Sequence, residues 1–249
     1  MSNKPKVRPA APAQAGQPPP EIEYDHAFGG FLFALGLRGH LQSLDKPDIF
    51  DYINNGANTT VVGLLLGLSA NKIGSCDANI LRTLCIHIPS LFPTSLRPVE
   101  LCTSIQTAAI AGAGLLCIGS YHRVLTEFLL NEIGKRPSAD QNTDDREGYN
   151  LCCGLALGMI NICLGNRGRR SMNDDLSDLK IEERLHRYIA GGIDENFEKL
   201  KQHQVDRTQN SENNENERSS KIYEGPMINI DITSPGSTLA LGMIYHRSG

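Results

Sequence analysis

The chain has 249 residues, with 24 Lys and Arg against 28 Asp and Glu, for a formal net charge of −4 and a pI near 6.0. That balance gives no electrostatic case for nucleic acid. The only basic clusters, Arg167-Gly168-Arg169-Arg170 and the scattered Lys4, Lys6 and Arg8, read as solvated loop and tail.

Seven cysteines are an odd number without paired metal spacing. Cys152 and Cys153 are adjacent, and Cys76, Cys85, Cys102, Cys117 and Cys163 are spread through apolar runs. They read as small buried hydrophobes in a reducing compartment, with no disulfide frame and no zinc site. The apolar runs near 105–118 and 151–164 are short of the ~20 residues that cross a bilayer. Gly63-xxx-Gly67 and Gly154-xxx-Gly158 therefore read as close packing between helices in water rather than in a membrane.

In chain order, residues 1–20 hold basic residues, Ala, Gln and Pro. They lack the apolar segment of a secretory signal and read as a disordered tail. A first helix is expected over about Ala27 to Leu37, with a turn at Gly39. Pro47 suits the first position of a short second helix, with Ile49, Phe50 and Ile53 on its apolar side. Asn58 or Thr59 is placed to cap a third helix running to about Ala70, closed by Gly74. Asp77 is placed to cap its partner, where Ile80, Leu81, Leu84 and Cys85 recur at helical spacing before Pro89 and Pro93.

Thr103 or Ser104 opens the next helix, and Gly119-Ser120 forms a turn. Val124, Leu125, Phe128, Leu129 and Ile133 make a stripe that Gly134 ends, with Pro137 beyond. After a polar loop over 135–143, Asp144 and Glu147 match a capping box for a helix reaching about Leu164. A partner helix is expected over 176–190, with Leu185, Tyr188 and Ile189 inward and Gly191-Gly192 stopping it.

Residues 195–221 turn polar, as in Gln209-Asn210-Ser211-Glu212-Asn213-Asn214-Glu215, and read as a disordered insertion. Met227-Ile228-Asn229-Ile230-Asp231-Ile232 alternates strictly and reads as a strand. Pro235-Gly236-Ser237-Thr238 then starts another helix. Its apolar Leu239, Leu241, Met243, Ile244 and Tyr245 lack a partner in sequence, which suggests a piece of a longer chain.

Five of these helices carry a glycine in register within an apolar-Gly-apolar core: Gly36, Gly67, Gly114, Gly158 and Gly242. The intervals of 31, 47, 44 and 84 residues fit one helical hairpin each, the last with an insertion. A second glycine follows at Gly39, Gly74, Gly119 and Gly165. The organisation is then a tail over 1–20, four helical repeats over 21–194, the polar insertion over 195–221, and a strand plus the first helix of an incomplete fifth repeat over 222–249. An interior helical glycine costs ~1 kcal/mol relative to alanine, so glycine at the same place in successive repeats calls for an offsetting gain. Close approach of neighbouring first helices supplies one. The Leu, Ile and Phe stripes of the second helices would form the other layer.

The Gly-x-x-x-Gly and Leu-Gly-Leu/Met repeats resemble proteasome/cyclosome repeats, found in large scaffold subunits of the proteasome regulatory particle and of the anaphase-promoting complex. Segments outside the glycine core resemble the anaphase-promoting complex branch. They are Tyr24 through Leu41, Ile86-His87-Ile88-Pro89, Leu129 through Gly134, Asp145-Arg146-Glu147 with Tyr149, Gly154 through Met159, and Ile228 through Gly236. The similarity covers most of 21–249. It implies an all-α superhelix or toroid of helical hairpins. It further implies a non-catalytic scaffold in a multi-subunit RING-type ubiquitin ligase acting at the metaphase/anaphase transition and mitotic exit. The implied partners are cullin-like, RING and tetratricopeptide-repeat subunits and a coactivator, in nucleus and cytoplasm, with no cofactor, metal, nucleic acid or membrane. A repeat scaffold of the proteasome regulatory particle is the alternative.

Other chemistry is weakly signalled. Gly112-x-Gly114 followed by Gly119 lacks the preceding strand and the third-glycine spacing of a dinucleotide loop. His87, between Ile86 and Ile88, reads as a hydrogen-bonded structural histidine. His122 and Cys117 would make a thiol pair for nucleophilic catalysis, but Cys117 sits in an apolar run where a thiol is inert. Asp144, Asp145 and Glu147 suit capping better than metal binding, and His26 and His40 stand apart. No set of residues converges on a reaction.

Overall fold

The computed structural model describes residues 26–92, 101–136, 145–166, 174–193 and 226–247. The expected tail, most of the 135–143 loop, the Arg167–Arg170 cluster and the polar insertion lie outside the described residues. In chain order the helices are α1 (His26–Leu37), α2 (Lys46–Asn55), α3 (Asn58–Asn71), α4 (Ala78–Cys85), α5 (Thr103–Leu116), α6 (Arg123–Ile133), α7 (Arg146–Ile160), α8 (Ile181–Ala190) and α9 (Ile230–Ile244). The fold is all-α, built of helical hairpins.

The odd-numbered helices form a row in which α1 packs on α3, α3 on α5, α5 on α7 and α7 on α9. A helix that is apolar all round must be covered on more than one side, and α3 shows how. Its Leu64 and Leu68 join one core cluster with Leu32 of α1. Its Val61 and Leu65 join the larger cluster that runs on through Ile110, Leu157 and Ile244.

The even-numbered helices are amphipathic. Each packs chiefly on the row helix that follows it: α2 on α3, α4 on α5, α6 on α7 and α8 on α9. Each second helix thus bridges its own repeat to the next, and the repeats interlock rather than stand as separate hairpins.

The turns that leave the row helices repeat one hydrogen-bond pattern. Gly74 N–H donates to Leu115 O at 3.1 Å, Gly119 N–H to Met159 O at 2.9 Å and Cys163 N–H to Met243 O at 3.2 Å. Two residues further on, Cys76 N–H donates to Leu116 O at 3.0 Å and Tyr121 N–H to Ile160 O at 3.1 Å. These acceptors belong to the last turn of the next row helix, whose carbonyls have no partner within their own helix. Each turn therefore satisfies the end of its neighbour and fixes the stacking register.

Several local expectations are corrected. The alternating segment 227–232 is not a strand: Met227 forms one β-bridge with Ile193, and helix begins at Ile230. The buried set Ile232, Thr233, Gly236, Ser237, Ala240 and Ile244 has helical period, which the run of isoleucines masked. Pro235 accordingly lies inside α9 rather than at its start.

Neither Asn58 nor Thr59 caps α3. Its N-cap is Ala57, without a side-chain hydrogen bond, and Thr59 Oγ1 instead lies 2.7 Å from His26 Nδ1 on α1. The Asp144–Glu147 capping box is replaced by Asp145 at the N-cap, in left-handed conformation and without a side-chain cap; Asp144 lies outside the described residues. Helix α7 stops at Ile160 rather than near Leu164.

Val124 is 66% exposed, because the buried arc of α6 runs through Leu125, Thr126, Leu129, Leu130, Glu132 and Ile133. Phe50 is exposed too, and Tyr52 joins Ile49 and Ile53 against the core in its place. The expected helix over 176–190 is divided by Lys180, in left-handed conformation, into a 3-10 stretch Asp174–Leu179 and α8. The left-handed turn residue of the fourth repeat is Cys163. Gly165, the second glycine of that repeat, makes room for the ring of Tyr245: a Cβ there would come within 2.6 Å of Cε1. Asp77 does cap α4, accepting from Asn79 N–H at 2.9 Å and Ile80 N–H at 3.2 Å.

Candidate functional site

The feature that the sequence singles out is the glycine row. A Cβ on Gly36 would overlap the backbone of Gly67, and one on Gly67 would lie 2.8 Å from Leu32 O and 2.9 Å from Leu41 Cδ1. A Cβ on Gly114 would lie 2.7 Å from Ala156 Cα, and one on Gly158 would lie 2.9 Å from Met243 Sδ and 3.1 Å from Ala240 Cα. Gly242 faces open space. Other glycines share the role. Gly29 and Gly63 meet across the α1/α3 seam, and Gly154 and Gly236 meet across the α7/α9 seam, backbone against backbone. Gly112 faces Ser69 Oγ of α3, while Gly114 faces Ala156 of α7. The Gly-x-Gly pair is thus explained by two neighbours on opposite sides of one helix.

Layered on this apolar row is a polar cluster that sequence reasoning missed. Glu132 is 8% exposed, near the end of α6. It accepts hydrogen bonds from Tyr149 OH of α7 at 2.7 Å, from Ser90 Oγ at 3.0 Å and from Lys135 Nζ at 3.0 Å. Lys135 also donates to Ser90 Oγ at 2.9 Å. A buried carboxylate is tolerated when it is paired and hydrogen-bonded, and here three donors meet it. The cluster ties the Pro89–Leu91 turn, α6 and α7 together. Burial pushes the Tyr149 phenol up, reinforced by Cys153 and Glu132, so it remains a donor. The available signal was position: Glu132 falls on the buried arc between Leu129 and Ile133.

A second buried pair joins Thr126 of α6 to Asn161, whose Nδ2 donates to Thr126 Oγ1 and to Leu157 O, both at 3.0 Å. Tyr188 OH donates to Leu130 O at 3.1 Å, and Thr233 Oγ1 donates to Tyr188 O at 2.7 Å. That chain of contacts runs from α6 through α8 to α9.

The side chains considered for chemistry do not come together. His87 is buried, with Nδ1 2.7 Å from Thr83 O, and desolvation pulls its pKa down. His122 caps α6, accepting from Leu125 N–H at 3.3 Å. Cys117 is fully buried and its thiol is pushed up to about 12, first by burial and then by its neighbour Cys76. Asp145, Glu147 and His40 are exposed, and His26 is engaged with Thr59. Among the described residues no helix is long and apolar enough to cross a membrane.

The arrangement defines a class: a stack of interlocked helical hairpins whose conspicuous residues serve helix-to-helix approach. Comparison with known proteins gives the family. Residues 78–249 match the family described as "APC1 fifth domain", and residues 1–73 match "APC1 fourth domain"; the chain belongs to the APC1 family. It is similar to "Anaphase-promoting complex subunit 1" of Homo sapiens, 41% identical over 231 residues, covering 92% of this chain and 11% of the human protein. The Schizosaccharomyces pombe protein of the same name is 40% identical over 219 residues, 88% of this chain and 12% of its own length. "Negative regulator of mitosis" of Emericella nidulans is 42% identical over 180 residues, 70% of this chain and 8% of its own length. The chain therefore spans only a small part of these relatives. The two matched family regions meet in the turn between α3 and α4, and the row of helices runs across that boundary, with α3 packed on α5.

Proposed function

We propose that this chain is scaffold: a non-catalytic part of an anaphase-promoting complex, the multi-subunit RING-type ubiquitin ligase that marks cell-cycle proteins for degradation at the metaphase/anaphase transition and mitotic exit. The observation that carries the reading is 41% identity to a subunit of that complex over 92% of the chain. The architecture supports it. The repeats interlock, His87 and Cys117 are buried within them, and His122 caps α6. A rigid stack of this kind offers extended surface for other subunits. The partners are cullin-like, RING and tetratricopeptide-repeat subunits, with a coactivator as a further contact. The setting is nucleus and cytoplasm, and the role uses no cofactor, metal or nucleic acid.

The test is affinity purification of the tagged chain from dividing cells, followed by mass spectrometry. Recovery of cullin, RING and tetratricopeptide-repeat subunits supports the proposal. Recovery of proteasome ATPase-ring subunits instead would move the chain to the other branch of the repeat family.

A further inference from the structure

Cys76 sits in the turn between α3 and α4 in left-handed conformation, with φ of 50°. Its N–H donates to Leu116 O at 3.0 Å, and Cys117 is the next residue, at the end of α5. A hydrogen bond between those atoms holds the α-carbons of residues 76 and 117 within about 7 Å, at the reach of a disulfide. The next repeat shows the same juxtaposition, with Tyr121 N–H on Ile160 O and Asn161 as the following residue. Cys117 belongs to the buried core, and Cys76 is partly buried against that same cluster. The backbone contact and the shared cluster bring the two residues to the same spot on the α3/α5 seam. Cys76 is partly open to solvent and Cys117 is buried.

We propose that Cys76 and Cys117 are a redox-responsive dithiol, which a peroxide converts to a disulfide locking the α3–α4 turn onto the end of α5. The order of events follows from access. Sulfur of Cys76 attacks hydrogen peroxide: an S–O bond forms, the O–O bond breaks, and the departing hydroxide leaves as water with the thiol proton. Cys76 becomes a sulfenic acid, oxidised by two electrons. Cys117 sulfur then attacks Cys76 sulfur: the S–S bond forms, the S–O bond breaks, and the second hydroxide leaves as water with the Cys117 proton. Burial seals Cys117 from peroxide while Cys76 is partly accessible, so Cys117 serves as resolving group rather than first target. The cross-link joins the second repeat to the third across the seam between them and constrains the intervening chain in the unfolded state.

The experiment treats the reduced, folded chain with hydrogen peroxide and blocks remaining thiols with N-ethylmaleimide. Peptides are then mapped without reduction, with fragmentation to separate Cys117 from Cys102. The expected product is an intramolecular Cys76–Cys117 peptide pair, two hydrogens lighter than its parts, with a melting temperature raised relative to the reduced chain and restored by dithiothreitol. Cys76→Ser is expected to keep the reduced melting temperature and form no cross-link, while Cys85→Ser still forms it. Oxidation of Cys76 to sulfinic or sulfonic acid with Cys117 still a free thiol would overturn the proposal. So would a cross-link to Cys85 or between two chains.

Discussion

Gly36 and Gly67 lie back to back across the α1/α3 seam, so close that a methyl group on Gly36 would overlap the Gly67 backbone. The contact explains why glycine is kept in helix interiors, where it costs ~1 kcal/mol against alanine. The returns are van der Waals contacts along two helices and buried leucines on either side, including Leu32 and Leu64. The same geometry recurs between Gly154 and Gly236 at the α7/α9 seam.

The Glu132 cluster should respond to loss of one donor. Tyr149→Phe removes a hydrogen bond to a buried carboxylate while Ser90 and Lys135 still reach it. The expected loss is about 1–2 kcal/mol, read from urea unfolding at neutral pH. The phenol also carries a pH signature. Its pKa in the folded chain lies above the ordinary 10.0. Its contribution is therefore fully present below about pH 10 and is lost as pH rises, because the unfolded state gives up its proton first. Wild type should lose stability more steeply above about pH 10 than Tyr149→Phe. Parallel curves would show that Tyr149 does not titrate differently on folding.

Two acidic residues at helix starts should behave differently. Asp77 accepts two backbone N–H groups of α4 and pairs with Lys72 Nζ at 2.6 Å. Its carboxyl is held below the usual range, first by the Lys72 hydrogen bond. Asp77→Ala should cost about 1 kcal/mol, and that loss should shrink as pH falls through the carboxylate range. Asp145 makes no side-chain cap, and Asp145→Ala should cost less than Asp77→Ala at neutral pH. Melting curves of both variants at neutral and acidic pH provide the comparison.

The left-handed turn positions offer a gain. Gly74 and Gly119 adopt positive φ freely, but Cys163 does so with φ of 60°. Left-handed backbone costs a residue with a side chain roughly 1–2 kcal/mol. Cys163→Gly keeps the N–H that bonds Met243 O and should raise the melting temperature by a few degrees, at about 2–4 °C per kcal/mol for a chain of this size. Gly119→Ala should lower it. A fall in Cys163→Gly would mean that its side-chain packing outweighs the backbone strain.

The row helices, the Asp77 cap and the repeat period were legible because each leaves a local mark: an apolar run with small residues, an acid before a helical stripe, or a recurring Gly. The rest depends on neighbours distant in sequence. Ile228, Ile230 and Ile232 alternate like a strand, but residues from Ile230 onward face α7 and α8, and helical packing decides the segment. Gly165 follows the registered Gly158 in sequence, but its reason is the Tyr245 ring 80 residues later. The seam glycines Gly29 and Gly236 are explained only by their partners across the seams, Gly63 and Gly154. Glu132 was hidden because a carboxylate on an apolar stripe becomes intelligible only beside Ser90, Lys135 and Tyr149.

The most direct measurement is a pair of melting curves, for Gly36→Ala and Gly30→Ala. Both sites lie in α1 and both substitutions add one methyl group. Gly36 meets backbone, while Gly30 has nothing within 4 Å of the added atom. Close approach of the row helices requires Gly36→Ala to lose about 1–3 kcal/mol through overpacking and Gly30→Ala to gain up to ~1 kcal/mol of helix propensity. Gly114→Leu, against Ala156 and Met159, should lose at least as much as Gly36→Ala. If Gly36→Ala and Gly30→Ala melted alike, the glycines would not be there to bring the helices together.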